Sequence, residues 1–356
     1  MPTASEIALG RQTPLTQGIF MSVLTETPLF SAFDARTITG TRFMTLALDA
    51  LPSSAFANYG QGFTSSDAKL SIREFDCAFI GGLIKAERVT EERWNAEHQA
   101  AGYTWFDLQT LMKMKADLLH VESQILYGTA VDAKGFPGLK EITPYGTPLA
   151  LTGDPSANLY KTPVINAGGT TANTASSVYS ICFGDMDAQL IIGGDSGGEL
   201  IKMGQIITQM LAPDVTNYPT QLSEHHVAQV DGHIGLAVSG FSPSVANQTV
   251  PTQYAVRRIA NLTAETNHTL NDAMMNLLSL SHGPAKRPNL FSMSLRSGLQ
   301  LAASRAATQV NFLMGANGSG DAKNATFNIQ PPPPDNWQGI PIVYPITHLS
   351  TDAIEA

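Results

Sequence analysis

Residues 104–128 read TWFDLQTLMKMKADLLHVESQILYG and contain the strongest helical signal of the chain. Thr104 and Asp107 have the spacing of a capping box, and Gly128 is a residue type that commonly follows a last helical turn. The stretch therefore predicts a helix over residues 105–127, about 34 Å long at about 1.5 Å per residue. Two adjacent apolar stripes give this helix a buried face and the role of a structural spine. The stripes consist of Leu108, Met112, Leu119 and Leu126, and of Leu111, Leu118 and Ile125.

Upstream of the helix, the sequence predicts a long β-hairpin. Strand-like segments cover residues 36–49 and 69–80. In the second segment Leu70 and Ile72 share one phase, whereas the apolar residues after Arg73-Glu74 follow the other phase. This change of phase predicts a β-bulge at Arg73-Glu74.

Three aromatic residues lie in the segment that connects the two predicted strands. Residues 51–67 are rich in Pro, Ser, Gly and Asn, but they also contain Phe56, Tyr59 and Phe63. Aromatic side chains at the tip of a hairpin have no local core to enter, so a surface that contacts a partner is favoured over an idle exposed loop. We therefore predict that these three residues lie in a contact between subunits.

Downstream of Gly135 the composition shifts to Gly, Thr, Ser and Asn, with β-type segments and two helices. The helices are predicted over residues 270–281, after a cap that begins at Thr269, and over residues 295–306. A short strand over residues 340–343 contains Pro341, which favours the edge of a sheet. The whole pattern predicts an α+β fold. The other predicted strands cover residues 177–183, 189–193, 226–238, 253–262 and 289–293.

Composition narrows the possible functions. The chain has 356 residues, of which 43% are hydrophobic and 14% charged, with a net charge of −9. This apolar content excludes disorder of the whole chain. Charged residues are scarce compared with about 25% in an average soluble protein, which indicates that much surface is buried against partners. The negative net charge disfavours binding to nucleic-acid phosphates.

The cysteines and the first residues of the chain indicate the cellular compartment of the protein. Cys77 and Cys182 are the two cysteines, far apart and outside any CxxC or Cys/His pattern, so neither a disulfide framework nor a zinc site is expected. Residues 1–10 have no basic n-region or apolar h-region, and the longest apolar run is too short to cross a membrane. These features fit a reducing cytoplasm.

Residues 194–198, GDSGG, match the pentapeptide around the nucleophile of trypsin-like serine proteases. The histidine segment and the disulfides of that family are missing, and the chain continues far beyond the motif. A tight glycine-rich turn between two strands is therefore the favoured interpretation.

Three further polar clusters have structural explanations. His225 and His226 are adjacent on a predicted strand and point to opposite faces, so these two and His233 are not expected to form a metal site. Residues 91–93, Glu-Glu-Arg, are interpreted as a solvated or intersubunit charge cluster rather than an acid–base pair. Residues 167–170, AGGT, lack the lysine of a phosphate-binding loop.

Several short motifs follow one another in a characteristic order. The most specific are INAGGT at residues 165–170, SSVY at 176–179, GLAV at 235–238 and QYAVRRIAN at 253–261, with WQGIPIV at 337–343. With the long helix and the hairpin, this order resembles the major capsid proteins of tailed bacteriophages, which have the Hong Kong 97-type fold, and in particular a podovirus-type subgroup.

The resemblance implies a division of the chain into the parts of that fold. The extended loop is the hairpin, and the peripheral domain contains the spine helix and part of residues 330–356. The implied parts are an N-terminal arm over residues 1–36, the extended loop over 37–84, the peripheral domain over 85–134, the axial domain over 135–330 and a C-terminal segment over 331–356.

The resemblance also implies the function. Such a chain assembles into an icosahedral shell around double-stranded DNA, through pentamers and hexamers. Its expected partners are a scaffolding protein and a portal protein, with a decoration protein as an optional third. It has no catalytic residue, cofactor or metal, and its location is the virion after assembly in the host cytoplasm. The alternative is an encapsulin-like compartment of the same fold, and a serine hydrolase built on residues 194–198 is a distant third.

Overall fold

The structure is a computed structural model that describes most of the chain. The α+β class predicted from the sequence is confirmed, because six α-helices and fifteen strands occur in the described part. The helices are α1 (Pro28–Ala32), α2 (Arg88–Glu97), α3 (Trp105–Tyr127), α4 (Leu139–Ile142), α5 (Asp272–Leu280) and α6 (Leu295–Ala316). The described residues are 26–50, 52–97, 104–146, 148–150, 162–184, 187–194, 202–211, 222–238, 255–282, 286–316 and 332–355.

The chain divides into two compact units. Unit 1 consists of a first segment that ends at Phe43, together with Phe75–Phe136 and Leu190–Leu236. Unit 2 consists of Met44–Glu74, Pro137–Gln189 and the chain from Ala237 onward. Unit 1 contains a six-stranded sheet. Its strands are β1 (Ala35–Thr37), β4 (Ala78–Glu87), β8 (Ala188–Gly193), β9 (Lys202–Met203), β10 (Ile207–Leu211) and β11 (Ser223–Val238).

One face of the unit 1 sheet packs on the start of the long helix. Strands β4 and β11 pair antiparallel, and Ile84 lies opposite Ala228. These two residues and Val230 form a core cluster with Phe106 of α3. Because alternate residues of a strand point to opposite faces, the other face of the sheet does not take part in this core.

The predicted bounds of the long helix are confirmed. Helix α3 covers Trp105–Tyr127, the capping box joins Thr104 and Asp107, and Gly128 caps the other end. The predicted apolar face is partly wrong, since Met112 is 54% exposed whereas Met114 is buried. Strand β4 and helix α1 both contact α3, so its buried face is set by these neighbours rather than by the apolar stripe alone.

Residues 27–33, in the last part of the predicted arm, lie on the long helix. Leu29, Phe30 and Phe33 are fully buried, and the N–H of Leu29 donates to a carboxylate oxygen of Glu122 in α3 at 2.9 Å. Glu26 forms an ion pair of 2.6 Å with Lys115. The rest of the predicted arm, residues 1–25, lies outside the described residues.

The predicted hairpin forms a two-stranded ribbon, β2 (Arg42–Ala50) and β3 (Lys69–Asp76). The prediction of one strand over residues 36–49 is wrong, because Gly40 with φ of +93° separates β1 from β2. Strand β3 runs without interruption through the predicted bulge at Arg73-Glu74, and the break falls at Cys77. The change of apolar phase therefore reflects the passage from an exposed ribbon into a packed sheet.

Unit 2 is built on a seven-stranded sheet. Its order is β14, β15, β13, β7, β12, β6 and β5, so β15 is an inner strand and its predicted edge position is wrong. The two-residue strand β14 lies outside it and pairs with Pro341. The strands are β5 (Leu149–Ala150), β6 (Val164–Asn166), β7 (Ser176–Ile181), β12 (Val256–Leu262), β13 (Leu290–Met293), β14 (Asn336–Trp337) and β15 (Ile340–Val343).

The two faces of this sheet differ in chemistry. The row Val178, Ile259 and Met293 belongs to an apolar core cluster that includes residues of α5 and α6. The neighbouring row consists of Tyr179, Arg258 and Ser292, which point to the opposite face. The sheet therefore has one apolar and one polar face, both buried.

The two predicted helices of unit 2 exist with different ends. Helix α5 is capped by Asn271, whose side chain accepts from the N–H of Met274, and not by Thr269. Both residue types are good caps, and the choice between them depends on where the chain first adopts helical geometry. Helix α6 continues through Ala316 rather than ending at residue 306.

Candidate assembly surface

The hairpin tip presents its three aromatic side chains to solvent. Phe56 and Tyr59 are fully exposed, and Phe63 is 80% exposed. The tip is nevertheless ordered by local hydrogen bonds: the N–H of Gln61 donates to the carbonyl of Asn58 at 3.0 Å. The predicted absence of a local core for these side chains is confirmed, and their contact with another subunit stays a prediction.

Hydrogen bonds join the two sides of the connection below the tip. The hydroxyl groups of Ser53 and Ser66 lie 3.0 Å apart, and Ser66 also donates to the carbonyl of Ser53 at 3.1 Å. Gly60, with φ of +89°, provides the turn at the tip. Residues 52–68 thus form a hydrogen-bonded extension without a buried side chain.

The ribbon itself carries an exposed apolar face. Arg42 and Asp76 form an ion pair of 2.9 Å, which places these side chains on the same face of the ribbon. Residues two positions apart on a strand share a face, so the apolar residues in phase with this pair lie together. Four residues form this apolar face: Met44, Leu46, Leu70 and Ile72. Each of them is between 55% and 65% exposed.

A second exposed apolar face lies on the unit 1 sheet, on the side away from α3. Leu83 faces Gln229, and Ile207 faces Val227, which shares a face with Gln229. Phe79 belongs to the same face and packs on the ring of His233 with 5.2 Å between ring centroids. Phe79, Leu83 and Ile207 are between 55% and 69% exposed.

Sequence analysis missed both apolar faces. Alternation alone shows that a strand has two different sides, but it does not show whether another layer covers the apolar one. The one available signal was the ribbon itself. Met44, Leu46, Leu70 and Ile72 alternate regularly on a two-stranded element that has no partner helix nearby in the sequence.

The rejected motifs have local structural roles or lie outside the described residues. Gly194 pairs with Gly40 through two backbone hydrogen bonds of 3.0 and 3.1 Å, and residues 195–198 of the GDSGG motif lie outside the described part. His226 contacts Glu91 at 2.7 Å, whereas His225 contacts Ser223 on its own strand at 3.0 Å. No group of three or more potential metal ligands occurs in the portion of the chain that the structure describes.

The glycine-rich turn at residues 167–170 is occupied by a carboxylate of the same chain. The N–H and hydroxyl of Thr170 and the hydroxyl of Thr171 donate to Glu265. These hydrogen bonds, first that of Thr171, lower the pKa of Glu265 to about 2. Amides that already bind an internal carboxylate are not available to hold a phosphate.

The charge cluster at residues 91–93 pairs within the chain. Arg93 contacts Glu97 at 2.9 Å, and Arg88 contacts both Glu92 and Glu224. Helix α2 has no buried residue among those described, so these pairs lie at the surface. Exposed ion pairs of this kind are worth about 0–1 kcal/mol, so they add little to the stability of the fold.

The two thiols are free and protected. Burial raises the pKa of Cys77 to about 11 and that of Cys182 to about 12. A thiol with a raised pKa has little thiolate at neutral pH, and the thiolate is the reactive form. Both cysteines therefore act as small apolar side chains at neutral pH.

Within the described residues, no helix is long and apolar enough to cross a membrane.

The chain is similar in structure to chains from several phages. No protein-family model matches the sequence, and no curated protein matches it. A chain of bacteriophage Epsilon15 is similar in structure, with a TM-score of 0.49 and 14% identity over 91% of this chain and 88% of that one. A chain of Mycobacterium phage Bobi is similar with a TM-score of 0.42 and 9% identity, over 73% and 98%. A chain of the satellite phage P4 procapsid is similar with a TM-score of 0.33 and 10% identity, over 69% and 99%.

Proposed function

We propose that the chain is the major capsid protein of a tailed phage, with the Hong Kong 97-type fold, which assembles into an icosahedral shell around double-stranded DNA. The observation that carries the proposal is the projecting ribbon. Its tip exposes Phe56, Tyr59 and Phe63, and its strands expose four further apolar side chains. Exposed apolar side chains that are grouped on one element are typical of a protein–protein contact.

In a symmetric shell every subunit makes the same contact. This repetition explains why the contact surface is apolar. Each subunit of a closed shell gives and receives the same contacts, so every exposed apolar side chain on the ribbon and on the unit 1 sheet becomes buried in many copies. Burial of apolar surface contributes about 25 cal/mol per Å². The low charge content of 14% agrees with a chain whose surface is largely covered by its neighbours.

We assign each part of the proposed fold to a segment of the chain. Residues 1–36 are the arm, 37–84 the extended loop, 85–134 with part of 330–356 the peripheral domain, 135–330 the axial domain and 331–356 the C-terminal segment. The division between the compact units after Phe136 supports a domain boundary near residue 135. The compact units depart from this scheme at two points: unit 1 includes Leu190–Leu236, and residues 332–355 belong to unit 2 rather than to the unit of the spine helix.

The proposal includes the partners and the location. The chain forms pentamers and hexamers, assembles in the host cytoplasm with a scaffolding protein and a portal protein, and ends in the virion, where a decoration protein is possible. A net charge of −9 suits a shell that encloses DNA without gripping its phosphates. In this proposal the chain has no catalytic site.

A matched pair of variants tests the proposal. In the first variant, Phe56→Ser, Tyr59→Ser and Phe63→Ser are combined. In the control, the exposed neighbours Ser54, Thr64 and Ser65 are changed to Ala. Sedimentation velocity and electron microscopy should show shells for the control and folded, unassembled subunits for the aromatic variant. Shells of normal yield from the aromatic variant would argue against the contact.

A further inference from the structure

The end of the chain lies on the polar face of the seven-stranded sheet without joining it as a regular strand. We call residues 345–355 the C-terminal strap. Asp352 forms a single bridge with Ala175, with two backbone hydrogen bonds of 2.9 and 3.1 Å. His348 and Asp352 are buried, whereas Ile346 before them and Leu349 and Thr351 between them are exposed. The strap therefore contacts the sheet through a few side chains.

The far end of the strap is held by a clamp of specific polar contacts. Arg258, which is almost fully buried, donates to both carboxylate oxygens of Glu355. Asn261 holds the backbone of the same residue, since its amide donates to the Glu355 carbonyl at 2.8 Å and accepts from the Glu355 N–H at 2.9 Å. Lys140 adds an ion pair of 3.4 Å.

The middle of the strap depends on one uncharged histidine. His348 is 6% exposed and packs against Tyr179 with 5.7 Å between ring centroids. No side chain among the described residues bonds to its ring nitrogens, and the polar group beside the ring is the backbone of Ser177. Burial lowers the pKa of His348 to about 3, and the Ser177 backbone is the one group that acts in the opposite direction. The docked strap thus requires the neutral ring.

Other polar atoms of this layer are also incompletely satisfied. Oδ2 of Asp352, Oγ of Ser292 and Nε of Arg296 are buried without a partner in the described part of the chain. Arg296 does hold the strap through its Nη1, which donates to the carbonyl of Ser350 at 2.8 Å. Buried polar atoms are normally paired, so these unpaired atoms offset part of the stability that the other strap contacts provide.

We propose that the C-terminal strap is a pH-sensitive device that leaves the polar face of the sheet when His348 takes up a proton. A released histidine regains its ordinary pKa of about 6.5, whereas the docked ring stays neutral. At pH 5 this difference favours the released strap by about 30-fold relative to pH 8. The device does not depend on shell formation and goes beyond the proposed function.

The neighbouring charges modify this response in known directions. The titratable and charged groups of the layer are Tyr179, Lys140, Arg258, Arg296, Asp352 and Glu355. Burial raises the pKa of Asp352, so as pH falls the carboxyl of the docked strap is protonated at a higher pH than that of the released strap. Protonation of Asp352 therefore favours the docked strap and opposes its release in acid. Burial also acts on Glu355, but Arg258 and Lys140 outweigh it and lower its pKa, so Glu355 stays charged between pH 8 and pH 5.

Hydrogen–deuterium exchange of the full chain tests the device. Protection factors of the strap amides, corrected for intrinsic exchange, should fall about 3- to 30-fold between pH 8 and pH 5, while β12 stays protected. His348→Phe keeps an aromatic ring on Tyr179 without a titratable group, and it should abolish the fall. Asp352→Asn removes the opposing group and should make the fall steeper.

Glu355→Gln is the matched control for a merely weakened strap. It should lower protection by the same factor at pH 8 and at pH 5, because Glu355 does not titrate in this range. Strap protection in the unmodified chain that is the same at both pH values overturns the proposal, whether or not any variant folds. A pH-dependent fall that persists in folded His348→Phe also overturns it.

Discussion

The carboxylate of Glu122 in the long helix accepts a 2.9 Å hydrogen bond from the backbone N–H of Leu29, and both residues are fully buried. The bond fixes the start of α1 to the second half of α3. It also satisfies a backbone donor that is out of reach of water. The last part of the predicted arm is thus attached to the long helix by a specific contact as well as by apolar packing.

Replacement of this carboxylate should destabilise unit 1. Glu122→Ala leaves the N–H of Leu29 buried and unpaired, which costs about 1–3 kcal/mol in the free energy of unfolding. Glu122→Gln retains an acceptor oxygen and should cost less. Urea unfolding of unassembled subunits measures both values. Equal losses for the two variants would show that the hydrogen bond to Leu29 is unimportant.

The capping box of the long helix should contribute measurable stability. The N–H of Asp107 donates to the Thr104 hydroxyl at 3.2 Å, and the N–H of Thr104 donates to the Asp107 carboxylate at 2.8 Å. Thr104→Ala should lower the free energy of unfolding by about 0.5–2 kcal/mol. Thr64→Ala, in the exposed hairpin connection, is the control and should have no measurable effect. A neutral Thr104→Ala would mean that tertiary packing alone determines where α3 begins.

Strands β4 and β11 should separate if Gly81 gains a side chain. A Cβ at this position would overlap the carbonyl oxygen of Val230 and lie 2.9 Å from Cα of Asp231. Backbone atoms of a paired strand cannot move aside cheaply, so Gly81→Ala should cost about 1–3 kcal/mol. Gly62→Ala meets no atom within 4 Å and is the matched control. Thermal or urea unfolding compares the two, and similar stabilities would contradict the observed pairing.

The carboxylate of Glu265 should titrate at unusually low pH. Because its pKa is about 2 in the folded chain, its contribution to the loop is present above the ordinary glutamate pKa of about 4.3 and is lost as pH falls towards 2. Thr171→Ala removes the largest cause of this shift and should raise the pKa towards the ordinary value. NMR titration of the side-chain carboxyl carbon measures it. An unchanged pKa in Thr171→Ala would contradict the assigned hydrogen bonds.

Local signals in the sequence predicted local structure well. Thr104, Asp107 and Gly128 define both ends of α3 because capping depends on residues that are neighbours along the chain. The exposed aromatic tip was predicted for a similar reason, since residues 52–68 contain little from which a core could be built. The start of α5 shows the limit of such local signals: Thr269 and Asn271 are both suitable N-caps, and the structure uses Asn271.

Features that depend on distant residues could not be predicted. Met112 and Met114 are the same residue type, yet the predicted apolar stripe included Met112, which is exposed, whereas Met114 is buried on the same helix as Leu118 and Ile125. The strap has no periodic pattern, and its partners Arg258 and Asn261 lie far upstream in the sequence. Two consecutive buried arginines, Arg257 and Arg258, also gave no sign in the sequence of what they contact.

Electron microscopy of the purified, unmodified chain, combined with sedimentation, tests whether this chain builds a closed shell. The chain is expressed alone and together with a candidate scaffolding protein. We expect uniform closed shells, or rings of five and six subunits, in at least one of these preparations. A stable, small monomer in both preparations would contradict this expectation.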